Sequence, residues 1–268
     1  MAATRPVDGE RVTVERDGHV LLVGINRPEK RNAFDLAVLR QLAAAYERLA
    51  VDDGLRAGVL HAHGEHFSAG LDLAEVGPVV AEQGPEALGG GGRYDPFGVW
   101  GEPVPKPVVM AVQGIAFTLS IELALASDIV VAADDVRFRQ LEIARGIMPF
   151  GGATFRAPAQ LGWGNAMRFL LTAEEFGAEE AHRIGLVQEV VPAGRQLERA
   201  AELARLVAAQ APLGVQGTLA SARAARRAAE RAAVEHLQEL LPGILGSQDA
   251  AEGVRSFVER RSARFTGR

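Results

Sequence analysis

The feature that most constrains this chain is an acid set among apolar residues. Glu122 lies inside Ile121-Glu-Leu-Ala-Leu-Ala126, where every neighbour argues for burial. An ionised carboxylate removed from water is costly, so an acid in such a run is paired, protonated or functional. A second acid, Glu142, follows in Gln140-Leu-Glu-Ile143, beside the turn-forming Arg145-Gly146. Between them, Asp128-Ile-Val-Val-Ala-Ala133 is a short β-branched run that reads as a buried strand. A helix, a strand and a turn in that order can return both carboxylates to the same end of one layer. Two acids around one pocket divide acid and base work when their surroundings split their pKa values. A core ion pair at Glu122 and a surface glutamate at 142 fit the same spacing, and spacing alone leaves both readings open.

Composition narrows the classes. The 268 residues are enough for one large domain, or a domain with an appendage. With 48% hydrophobic and 24% charged residues, the chain has the makeup of a soluble globular protein. A net charge of −5 gives no electrostatic case for nucleic acid. The absence of cysteine excludes disulfides, thiolate zinc sites and a cysteine nucleophile. The first twenty residues show no apolar leader, and no apolar run approaches membrane-spanning length, so a cytoplasmic protein with no membrane partner is expected.

Along the chain, Val12-Thr-Val14 and Val20–Ile25 flank Asp17-Gly18, a hairpin signal. Asn26–Asn32 is a polar loop, and helical spacing predicts a helix from Asp35 to Ala50. Ala57–His61 reads as a strand running into the loop His63–Leu73, and Pro107–Val112 as another strand. Residues 77–106, with Gly89–Gly92 and prolines from Pro78 to Pro105, are expected to be an irregular surface loop or lid. Helices are expected at Gly164–Leu171, Ala178–Ile184 and Gln196–Ala209, with a strand at Leu186–Val191. The tail reads as Val215–Leu241, broken by Pro242-Gly243, then Asp249–Arg261. Arg223, Arg226, Arg227 and Arg231 share one helical face, which reads as a solvated or interface stripe. Strands alternating with helices through residue 191 indicate an α/β fold.

Three motifs are tested and set aside. His61, His63, Glu65 and His66 match neither zinc-protease order, so no metal site is expected. Phe67-Ser-Ala-Gly70 lacks the first glycine of a nucleophile elbow. Gly89–Gly92 is neither a Walker loop nor a dinucleotide turn.

Seven stretches, taken in order, resemble the crotonase superfamily of enoyl-CoA hydratases and isomerases. They are Ile25–Ala33, His66–Leu73, Lys106–Gly114, Glu122–Ile129, Phe138–Ile143, Gly146–Gly152, and Gly185-Leu-Val187 with Val191-Pro192. The resemblance implies an α/β spiral of ββα turns over residues 1–195. It also implies a helical C-terminal region, 196–268, that mediates self-association as a trimer or as a hexamer of two trimers. It implies a lyase of fatty acid metabolism acting on an acyl-CoA thioester, with no metal or redox cofactor and coenzyme A present only as part of the substrate. By position, Glu122 and Glu142 match the two glutamates that activate water for the β-carbon and deliver a proton to the α-carbon. Leu71 and Leu119 match the two residues whose backbone N–H groups form the oxyanion hole. Asn32, Ala33, Ala69 and Gly70, with Asp72 and Leu73 beyond them, match the substrate-binding segments. An isomerase using one glutamate, or an acyl-CoA-binding relative without turnover, are the alternatives. Where the family usually has a glycine triplet, this chain has Thr118-Leu119-Ser120, and the leucine is expected to add bulk beside the thioester.

Overall fold

The computed structural model describes residues 9–268. The first eight, part of the stretch read as carrying no leader, lie outside the described residues. β1 (Val12–Asp17) and β2 (Val20–Ile25) form the expected antiparallel hairpin across Asp17-Gly18. α1 (Leu36–Val51) follows, and Asp35 caps it by accepting the Val38 N–H at 2.8 Å. β3 (Ala57–Ala62), α2 (Leu73–Gln83), β4 (Val108–Val112), β5 (Ile115–Phe117), α3 (Leu119–Ala126) and β6 (Ile129–Ala133) come next. β7 (Arg137–Arg139), α4 (Ala153–Leu161), α5 (Trp163–Thr172), β8 (Phe176–Gly177), α6 (Ala178–Arg183) and β9 (Glu189–Val191) complete the mixed region. α7 (Gln196–Ala208), α8 (Pro212–Leu245) and α9 (Gln248–Val258) make the C-terminal part helical.

The larger sheet has the order β1-β2-β3-β4-β6-β9 and is parallel beyond the first hairpin. Its central strands are apolar on both faces because both are covered, as parallel strands require. Val59, Val109, Ala111 and Val131 pack against Ala200, Ala204 and Ala208 of α7. The alternate residues Leu60, Met110, Val112 and Val130 point into the main core, the period of two expected of a strand. The smaller sheet, β5-β7-β8, branches off where β4 ends, and its first pair is parallel.

Three expectations need correction. Residues 77–106 are not one irregular loop. α2 runs through Pro78 to Gln83 and a 3-10 turn covers Pro85–Gly89. Beyond it Asp95, fully buried, accepts the N–H groups of Phe97, Val99 and Trp100, each at 2.8 Å. Neither does Pro242 break the tail: α8 continues to Leu245, held there by Leu237 and Leu241 buried in the main core. The last helix ends at Val258 rather than Arg261. Its following residues fold back, with Asp249 accepting the N–H groups of Thr266 (2.6 Å) and Gly267 (2.9 Å). α9 packs on the 3-10 turn Glu142–Arg145. Gly253 lies so close to the Arg145 carbonyl that any side chain there would collide with it, and Arg145 stacks over Phe257 at 4.6 Å.

Candidate active site

Three short parallel segments deliver the candidate groups to one end. Ser68 bridges Ala116 of β5, and β5 pairs with β7, each in parallel. The first segment runs on to Leu71, the second to Thr118 and α3, the third to Gln140 and Glu142. Their adjacency is tight. Phe117 N–H donates to the Ser68 carbonyl (3.0 Å) and Thr118 N–H to the Arg139 carbonyl (2.9 Å). Gly70, at φ +98°, leaves room for Thr118, whose hydroxyl occupies the space a side chain at 70 would need.

α3 is apolar all round and buried along its length, so Glu122, in its first turn, is buried with it. One oxygen, Oε1, accepts the N–H groups of Gly151 (2.8 Å) and Ala153 (3.1 Å). The other, Oε2, is buried without a hydrogen-bond partner. Burial pushes the carboxyl up to about 7, against the pull of those two N–H groups and of Arg156. Glu142 opens its 3-10 turn, and its Oε1 accepts from Gln140 Nε2 at 3.0 Å while Oε2 has no partner. Burial first, and then the charge of Glu122, hold Glu142 well above the ordinary carboxylate range. The pair thus shares a site in which both cannot ionise cheaply, and Glu122, with two backbone donors and the pull of Arg156, is the better anion beside a Glu142 that burial and Glu122 push higher.

Among the described residues, neither the Leu71 nor the Leu119 N–H has a hydrogen-bond acceptor. Leu119 is the first residue of α3, where the helix leaves its N–H groups unsatisfied. Buried polar atoms are normally paired. Among the described residues, four of the seven buried side-chain atoms without a partner belong to Thr118, Glu122, Gln140 and Glu142, so the unmet hydrogen bonding concentrates here.

The remaining candidates lie in and around the loop after β2, and of these only Asn32 reaches a surface cleft. Asn32 is buried and serves as a staple, donating to the carbonyls of His63 and His66 (both 2.8 Å) and accepting the Arg27 N–H (2.7 Å). The Ala33 carbonyl accepts from Arg27, and Ala69 N–H donates to the Arg31 carbonyl. Asp72 pairs with Arg27 at 2.8 Å, and Leu73 starts α2. Pro28, Glu29, Arg31, Asn32, Glu65 and His66 line a polar cleft of about 430 Å³. No group of three or more possible metal ligands occurs among the described residues. His63 instead meets Thr13 Oγ1 at 2.7 Å.

The Leu119 side chain is 3% exposed and joins the main core at the first turn of α3, one turn before the equally buried Glu122. The strain falls one residue earlier, where Thr118 holds φ 51° and ψ −110°. That geometry is rare for a β-branched residue and costs about 1–3 kcal/mol. Gly151 is a support that spacing does not reveal: a Cβ there would lie 2.5 Å from Glu122 Oε2. The pair Gly151-Gly152 was its only signal, since the contact spans 29 residues.

The family model described as enoyl-CoA hydratase/isomerase matches residues 15–268. The chain belongs to the enoyl-CoA hydratase/isomerase family. It is 34% identical over 257 residues to the 2,3-dehydroadipyl-CoA hydratase of Escherichia coli, covering 95% of this chain and 98% of that protein. It is 33% identical over 264 residues to enoyl-CoA hydratase EchA19 of Mycobacterium tuberculosis, covering 97% of this chain and 98% of the relative. Among solved structures, a probable enoyl-CoA hydratase/isomerase from Mycobacterium abscessus superposes with a TM-score of 0.77 at 48% identity. That match covers 97% of this chain and 99% of the other. The mixed α/β fold with its helical C-terminal part is therefore the crotonase fold, and the two glutamates sit in a member of that superfamily.

Proposed function

We propose that this enoyl-CoA hydratase/isomerase family member adds water across the trans-2 double bond of an acyl-CoA thioester. The observation that carries the reading is the pair of unpartnered carboxyl oxygens, Glu122 Oε2 and Glu142 Oε2, buried in one site. Glu122, the better anion, takes a proton from water as its oxygen bonds to the β-carbon. The π electrons move to the thioester oxygen, where the N–H groups of Leu71 and Leu119 stabilise the enolate. Glu142, protonated, then gives its proton to the α-carbon, and the thioester carbonyl reforms. Net, water is consumed, and one proton transfer between the two acids restores the starting state.

In this proposal the adenine end of coenzyme A lies along Asn32-Ala33 and Ala69-Gly70, with Asp72 and Leu73 beside it, and the polar cleft supports that direction of entry. The chemistry draws on no metal or redox cofactor. Assembly as a trimer or hexamer belongs to the same proposal and is assigned to the helices of 196–268. Support comes from α8, whose Leu213 is 86% exposed and whose first half helps line an apolar groove with Pro107 and Val207. No described helix is long and apolar enough to cross a membrane, and a cytoplasmic place is proposed with the rest.

The test is incubation with crotonyl-CoA and a longer trans-2-enoyl-CoA, following absorbance of the conjugated thioester. Loss of conjugation is expected. Gain of conjugation from a 3-enoyl-CoA instead would transfer the site to isomerisation, and binding without change would make it a binding protein. The same assay checks the support of Glu122. Gly151→Ala drives a methyl into its carboxylate and should lower turnover by roughly 10–10²-fold, the scale of a misplaced reacting group. Unchanged turnover would show that the Gly151 contact does not set the acid's position.

A further inference from the structure

The turn that holds Glu122 is itself held by a charged group. Arg156, in the first turn of α4, is 6% exposed. Its guanidinium donates to the carbonyls of Phe97 and Gly98 and meets Glu230 of α8 at 3.5 Å. Trp100 Nε1 donates to the Phe150 carbonyl at 3.1 Å, immediately before Gly151. The Asp95-stapled segment is therefore fastened to the Glu122 cradle from both sides. A buried arginine without a carboxylate contact of its own would be costly. Its one carboxylate partner here, Glu230, comes from a helix that supplies neither glutamate of the site.

We infer that Arg156 is a positioning residue for Glu122, and that Glu230 of α8 sets how much of its positive charge the acid feels. The inference rests on the reading of Glu122 as the proton acceptor. Arg156 Nη1 lies 3.1 Å from where a Cβ on Gly152 would stand, between the Gly151 and Ala153 donors of Glu122. With Glu142 from its 3-10 turn it supplies the charge acting on Glu122. The charges facing Arg156 are Glu230 and Arg226 from α8 and Asp95 from the stapled segment. Arg156 favours the ionised form of Glu122, and Glu230 offsets Arg156. Removing each should therefore act in opposite directions on the same carboxyl. Purely structural supports would have no such opposition.

The experiment titrates the Glu122 carboxyl by carbon NMR of 13C-labelled glutamate in a Glu142→Gln background, which isolates it from its partner without needing turnover. Arg156→Gln should raise the midpoint and Glu230→Gln should lower it, each by on the order of 1 pH unit, the size a unit charge ~10 Å away has at an effective dielectric of ~20. Arg156→Lys keeps the charge and should leave the midpoint near the parent's. The acid limb of the kcat/KM profile in the otherwise native protein should move the same way. Midpoints that move together, or not at all, overturn the inference. Glu230→Gln changes the more exposed partner of the pair, 25% against 7% for the Arg156 side chain, and tests it even if Arg156→Gln fails to fold. Opposed midpoints with an active Glu122→Gln protein would instead leave this inference standing and remove the proposed role of Glu122.

Discussion

Glu122→Gln and Glu142→Gln are each expected to keep the fold and acyl-CoA binding while lowering kcat by about 10²–10⁴-fold, the scale of a positioned proton-transfer group. The amide oxygen of a glutamine at 122 can still accept from Gly151 and Ala153, so the cradle survives. What is lost is the proton capacity of Oε2. Near-native hydration in both variants would sink the two-acid mechanism, and failure of only one would favour single-acid isomerisation. Stability supplies a second reading of the same variants. Burial holds Glu122 at about 7, above its ordinary value of 4.5. A raised carboxyl favours the folded state fully below the ordinary value, and that contribution is lost as pH rises through the folded one. Relative to its parent, Glu122→Gln should therefore gain stability between pH 4.5 and 7 and hold the gain above. The amount is on the order of 3 kcal/mol. Glu142→Gln should follow in the same direction, with its window reaching to higher pH. Thermal denaturation across pH 4–9 reads both, and a loss of stability at high pH would mean the native site welcomes the charge.

Replacing the Leu119 amide by an ester, with the leucine side chain kept, is expected to lower kcat by about 10²–10³-fold, as for loss of an oxyanion donor. The change deletes one N–H and nothing else that packs. Proline is the simpler deletion but the wrong one here. The residue before a proline is driven to ψ near +120° to +160°, whereas Thr118 stands at −110°, so the whole turn would be rebuilt. Leu119→Gly is a different change, because it removes a buried side chain from the core and leaves the N–H in place. Binding of a saturated acyl-CoA should barely change in the ester variant, since the donor matters most once charge reaches the oxygen. An unaltered kcat would place enolate stabilisation elsewhere.

Much of this architecture is legible in the residues, for definite reasons. Glu122 is conspicuous because its neighbours leave burial as the only outcome, and the hairpin at Asp17-Gly18 and the α1 cap at Asp35 are local signals with local causes. The support of Glu122 is not legible, because Gly151 and Ala153 act through backbone N–H groups from 29 and 31 residues away. Pro78 hides α2, since a proline inside a helix reads as a stop until the burial of Val76 and Val80 in the main core overrules it. β5 and β7 are three residues each, too short for any period to show, yet they carry the geometry of the site. Thr118 is the opposite case: the departure from glycine is visible, but which of three residues bears the strain is a matter of backbone angles.

The seating of α9 on the Glu142 turn has a consequence for how the protein matures. The turn is completed by residues 248–268, which a ribosome makes after every other part of the pocket. While those residues are still inside the exit tunnel, the sheet, α3 and the Glu122 cradle can already form, but the surface beneath Arg145 and Gly146 is bare. Newly synthesised chains should thus pass through a state that is folded around one acid and unfinished around the other. Catalysis would then switch on only once residues 248–268 have left the tunnel and docked.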